Sequence, residues 1–303
     1  MVQAGHPIGV VVYLTLNLGG VEFNGEAKLI TGFFSLFLVI SLASIYFFGP
    51  FFTVTTPYNG LALGLAIIVE GLVGVRAAQR FGGSRNFTGR LMAYYATALF
   101  ATGSSSIVWT FFARGQIPTD IPLLVSTSGI LLGLSISAFA LFISARSLLE
   151  KLNLKTWLLI FCSLAFSLVL SASSFTYQKT PGEQFAYTTI WPFLIFVQLA
   201  SALILVSLLR DWYITRPISI IAFGFIGYSV FAPLFTIVQF LTGISLPVYW
   251  ASVSLIGGSC LYVVGLGMSQ VRPANLREFF EKQQTPVRSS NLHRPDRETA
   301  MGS

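Results

Sequence analysis

The chain has 303 residues, of which 54% are hydrophobic and only 10% charged, and its mean hydropathy is +0.75. That balance is far from a soluble globular domain and excludes one large water-facing fold. The net charge of +7 does not call for a nucleic-acid partner, because the basic residues sit between apolar runs, where membrane topology accounts for them.

Runs of about 20 apolar residues, the length a helix needs to cross roughly 30 Å of hydrocarbon, recur eight times along the sequence. The pattern predicts an all-α, polytopic membrane helix bundle with spans at Leu29 to Phe48, Gly60 to Ala78, Leu91 to Phe112, Pro122 to Leu148, Thr156 to Ser174, Tyr187 to Leu209, Pro217 to Leu241 and Pro247 to Met268. Ahead of them, residues 1–28 hold a short apolar piece, Ile8 to Gly20, interrupted by Asn17. It is too short to cross and has no basic leader, so it is expected to lie on or dip into the membrane, with the first span as its own insertion signal. Residues 29–268 form the transmembrane domain, and residues 269–303, rich in Gln, Ser, Pro, Arg and Asn, are expected to be a largely disordered cytosolic tail.

Taking the N-terminus as cytosolic puts sixteen Lys and Arg residues on the cytosolic side and only Arg114 and Lys179 opposite. Such asymmetry places both termini in the cytosol and fits an even number of spans. Trp109, Trp191 and Trp250 fall toward outer helix ends, and Trp157 and Trp212 toward inner ones, as interfacial anchoring predicts. Both cysteines, Cys162 and Cys260, lie within spans, so no disulfide framework is implied. The sequon Asn86-Phe87-Thr88 falls in an Arg-rich cytosolic loop and is expected to go unused.

Glu70, in the second span, is the one acidic residue within any of these runs. An ionised carboxylate at bilayer depth costs a few kcal/mol or more, so such a residue faces a bundle interior and marks function. On a helical wheel Gly60, Gly64, Gly71, Gly74 and Ala78 gather on one face, with Glu70 about 80° round from its centre. Small residues allow close helix approach, so that face is expected to be packed, with Glu70 at its edge and not in lipid.

Further along, Tyr94 and Ser105 lie on the third span, Gln198 halfway across the sixth, and Tyr228 near the middle of a seventh that also carries Pro233. These four are the candidate substrate-binding groups. Ser163, Ser167, Ser171 and Ser174 form a stripe on the fifth span, expected to serve packing with hydroxyls returned to carbonyls four residues back. Histidine occurs only at His6 and His293, outside the spans, so no metal and no cofactor are expected. There is also no aspartate-rich motif for a magnesium-bound diphosphate. A carboxyl kept neutral by burial can still act as a general acid toward an epoxide or alkene, and the resulting cation needs aromatic faces and a dry pocket. The chain has 28 phenylalanines and 11 tyrosines.

Eight spans, no metal motif and the lone glutamate of IIVEGLVG on the second span resemble the integral-membrane terpene cyclases of fungal meroterpenoid biosynthesis. The resemblance implies proton-initiated cyclisation of a prenyl or epoxy-prenyl substrate with Glu70 as catalytic acid, no metal, and an endoplasmic reticulum membrane location if the source is eukaryotic. A related seven-span group pairs such a glutamate with an aspartate on a late helix. Here Asp211, in Leu209-Arg210-Asp211-Trp212, is the one candidate second acid and sits at the cytosolic end of the sixth span. Two other classes fit the same residues: a proton-coupled transporter of a small hydrophobic molecule, and a non-catalytic receptor or accessory subunit. A cytosolic N-terminus and eight spans argue against an ordinary seven-helix receptor.

Overall fold

The structure, a computed structural model, describes residues 24–48, 57–112, 120–146, 152–174, 181–208, 212–243 and 246–271. Helices account for nearly all of them: α1 Gly25–Phe48, α2 Pro57–Arg80, α3 Phe87–Phe112, α4 Asp120–Arg146, α5 Leu154–Ser174, α6 Pro181–Phe185, α7 Trp191–Leu208, α8 Trp212–Thr242 and α9 Leu246–Ser269. Pro57 and Pro181 open their helices, where a missing N–H costs nothing. Asn24 and Asn153 cap two others: Asn24 Oδ1 accepts from the Ala27 N–H at 2.8 Å, and Asn153 Oδ1 accepts from the Thr156 N–H at 2.9 Å. Between α2 and α3 the chain reverses through Gly82 and Gly83, whose φ values of 77° and 63° are ones that side chains with a Cβ rarely adopt.

Among the described residues, seven helices are long and apolar enough to cross a membrane, the architecture of a multi-pass membrane protein. The remaining long helix, α3, has 26 residues and falls short on composition, because Thr102, Gly103 and Ser104 to Ser106 occupy its middle. Each of the eight expected spans overlaps one of these long helices. Residues 1–23, including Ile8 to Gly20, and residues 272–303 lie outside the described residues, so the terminal segments are not part of the fold described here.

Neighbour contacts run α2 to α3, α3 to α4, α4 to α7, α7 to α8, α8 to α9 and from α9 back to α2, a closed ring. Outside the ring, α1 covers the seam of α2 and α9, and α5 covers the seam of α7 and α8. Glycines set the spacing. A Cβ on Gly64 would stand 2.5 Å from Ile107 Cγ1 and 2.7 Å from the Gly103 carbonyl, and one on Gly224 would stand 2.6 Å from Val264 Cγ2. Backbones therefore touch where hydrocarbon offers no hydrophobic drive to association. Leu63 meets Gly258, Glu70 meets Gly265, and Gly74 meets Met268; contacts that rise together in number make α2 and α9 parallel. At one end of that pair Asn24 Nδ2 donates to the Ser269 carbonyl at 2.9 Å, and Arg80 pairs with Glu26. The start of α1 and the end of α9 thus share one side of the bundle.

The serine stripe of α5 does more than return hydroxyls to its own helix. Ser163 donates to the Leu159 carbonyl at 2.8 Å, as expected. Ser167 instead donates to the Pro192 carbonyl at 2.6 Å, and Ser171 to the Thr188 carbonyl. The reason is local: Ala186–Ile190 is a π-helical turn, with the Trp191 N–H bonded to the Ala186 carbonyl. Pro192, four residues after Thr188, has no N–H to give it. A neighbouring hydroxyl replaces the missing donor.

Gly64→Ala is expected to lower stability by about 1–3 kcal/mol, read as a shift in the unfolding midpoint of detergent-solubilised protein with rising dodecyl sulfate. Gly32→Ala, where a Cβ meets nothing within 4 Å, is expected to leave that midpoint in place or raise it slightly.

Candidate functional site

Glu70 lies on α2 ten residues before Arg80, about 15 Å along the axis from that end. Its side chain is 1% exposed, and among the described residues its Oε2 has no hydrogen-bond partner. The nearest basic side chains of the same helix do not reach it: Arg76 is exposed and Arg80 is engaged with Glu26. What surrounds the carboxyl is helix packing. A Cβ on Gly265 of α9 would stand 2.7 Å from Glu70 Cγ and 3.3 Å from Cδ, so the glycine makes the space that the acid occupies. The small-residue face beside it packs as the wheel implied: Gly71 lies against Phe100, and Gly74 against Ala96 and Met268. An orphaned buried carboxyl oxygen costs free energy, about 1–3 kcal/mol for a polar group left unpaired. Functional sites are where such costs are carried.

Gln198 on α7 is 0% exposed. Its Nε2 donates to Ser137 Oγ of α4 at 2.9 Å, and its Oε1 accepts from Ser229 Oγ of α8 at 2.9 Å. Ser137 passes its own proton on to the Leu134 carbonyl at 3.0 Å. One amide thereby ties three helices through a chain of donors that all point the same way. The amide bonds two serines and not Glu70, because α4 and α8 flank α7 while Glu70 faces α9.

Beside Gln198 lies a cavity of about 10 Å³ lined from α3, α4, α7, α8 and α9, with Thr102, Ser137, Phe225 and Tyr228 among its lining. Two of the expected substrate-binding residues, Gln198 and Tyr228, therefore share a site. The other two do not join it. Tyr94 is 38% exposed, with its ring edge-on to Phe139 at 5.8 Å. Ser105 is buried against Gly129 and donates to the Ala101 carbonyl at 2.8 Å. Asp211 lies outside the described residues. Among the described residues no three His, Cys, Asp or Glu side chains stand together as a metal site would require.

The residues that sequence reasoning missed are Gly265, Ser137 and Ser229. Ser137 is 61 positions and Ser229 31 positions from Gln198, and no local pattern sets them apart from other small residues in a membrane helix. Compared with known proteins, the chain matches no family model, no curated relative and no solved structure.

The two buried polar groups are expected to respond oppositely to removal. Glu70→Met is expected to leave thermal stability in detergent unchanged or raised, since it deletes an oxygen that has no partner. Gln198→Leu is expected to lower stability by about 1–3 kcal/mol, because it strands the buried Ser229 hydroxyl and removes the donor to Ser137. A loss of stability in Glu70→Met as large as in Gln198→Leu would show that the acid serves packing.

Proposed function

We propose that this protein is a multi-pass membrane protein in which Glu70 delivers a proton to a hydrophobic substrate held within the bilayer, and that the reaction is acid-initiated cyclisation of a prenyl or epoxy-prenyl chain. One observation carries the reading: a carboxyl at mid-helix depth, 1% exposed, with an oxygen that no described residue satisfies. A structural acid would be expected to bond a neighbouring helix, as Gln198 does. A general acid must instead keep its proton for the substrate and sit where water does not compete. The aromatic side chains in this region, with Phe100 against Gly71 and Phe37 against Gly258, are suited to a cationic intermediate. No cofactor is needed for such a step, and the partners are the substrate and the lipid.

In this reading the eight long helices all cross, and both termini face the cytosol. The bond from Asn24 to Ser269 supports an even number of crossings, and the sixteen-to-two distribution of basic residues supports the orientation. The endoplasmic reticulum membrane is the proposed location in a eukaryotic cell.

A second reading is a proton-coupled carrier with Glu70 as the coupling carboxyl. It is favoured by the interrupted helices, namely the π-helical turn before α7 and Pro217 and Pro233 inside α8, since broken helices recur at transport sites. Microsomes containing the full chain, supplied with an epoxy-farnesyl aromatic, distinguish the two. The cyclase reading expects cyclised product from wild type and a loss of at least about 100-fold in Glu70→Gln, the lower end of what general-acid catalysis contributes. Proton-dependent accumulation in sealed vesicles without product would replace it with the carrier. Neither activity, across a panel of prenylated substrates, would leave a ligand-binding or accessory role.

A further inference from the structure

The donor and acceptor count around Gln198 does not close among the described residues. An amide has two N–H donors and an oxygen with two lone pairs, yet Gln198 spends one N–H on Ser137 and one lone pair on Ser229. Its side chain is wholly buried, so the second N–H has no bulk water to turn to, and leaving it unpaired is costly. The adjoining cavity is about 10 Å³, at the lower limit of what one water needs. Its wall also carries Thr102, whose hydroxyl donates to the Ala98 carbonyl at 3.0 Å and so keeps its lone pairs available.

We propose that this cavity is a hydration site holding one ordered water, which accepts the second Nε2–H of Gln198 and donates to Thr102 Oγ1. The water adds α3 to the set of helices that Gln198 already ties together, since Thr102 belongs to α3 while Ser137 and Ser229 belong to α4 and α8. Buried waters of this kind bridge polar groups that would otherwise be unsatisfied. Leu99, Leu134, Phe225 and Leu261 line the rest of the cavity and offer the water no competing hydrogen bond. Leu261 and the Gly265 that houses Glu70 are four residues apart on α9, about 6 Å along the axis, so the two polar sites are neighbours. The assignment does not depend on the activity proposed for Glu70.

The test uses full-length protein in lipid nanodiscs. A map at a resolution that shows waters is expected to hold one peak at hydrogen-bonding distance from Gln198 Nε2 and Thr102 Oγ1. Infrared spectra are expected to contain an O–H stretch that moves to lower frequency when the solvent is exchanged for heavy-oxygen water. Gln198→Met, close in volume and without hydrogen-bonding groups, should lose that band, and Thr102→Val should shift it. If Gln198→Met does not fold, the wild-type map and the Thr102→Val spectrum decide. An empty cavity in such a map, or a band insensitive to both heavy oxygen and Thr102→Val, would overturn the proposal.

Discussion

Helices in hydrocarbon gain little by burying apolar side chains against one another, because lipid tails are already as apolar as leucine. What holds this bundle is backbone proximity, and glycine supplies it at successive interfaces. Gly64 and Gly103 bring α2 to α3, Gly129 and Gly133 bring α3 to α4, and Gly224 and Gly267 bring α8 to α9. Closest of all in consequence is Gly265, since the parallel contact of α2 with α9 closes the ring, and the Glu70 side chain occupies the gap the glycine leaves.

The same solvent makes every polar group consequential. Lipid tails offer no hydrogen bonds, so hydroxyls and amides must find a partner within the bundle. Three solutions stand side by side. Ser171 serves the Thr188 carbonyl that Pro192 leaves without its donor, and Ser167 serves the carbonyl of Pro192 itself. Gln198 binds Ser137 and Ser229 and joins three helices. Glu70 has no such solution for Oε2. The amide and the acid thus differ: Gln198 bonds across to two helices, whereas among the described residues no group bonds Glu70 Oε2.

In the proposed reading a substrate must reach Glu70 from the lipid. The acid is sealed by α9 on one side, with α1 lying over the seam of the two helices. Those contacts use Tyr262, which stacks on Phe34 at 4.3 Å between centroids and bonds Thr31 at 3.0 Å. A substrate that entered from lipid between α1 and α9 would meet aromatic rings first and the carboxyl next.

The number and length of the helices were legible in the sequence, because membrane thickness imposes a run of about 20 apolar residues on any crossing helix, and a buried place for Glu70 followed from the cost of a charge in lipid. So did the packed glycine face of α2, since helical periodicity is local. The tertiary structure alone decided which helix faces Glu70, that Gln198 would bond serines and not the acid, that Tyr94 would turn outward, and that Ser167 and Ser171 would reach across to α7. Those outcomes depend on contacts between residues as far apart as Glu70 and Gly265, and for glycines and serines repeated along every helix, sequence spacing carries no record of which neighbour each one meets.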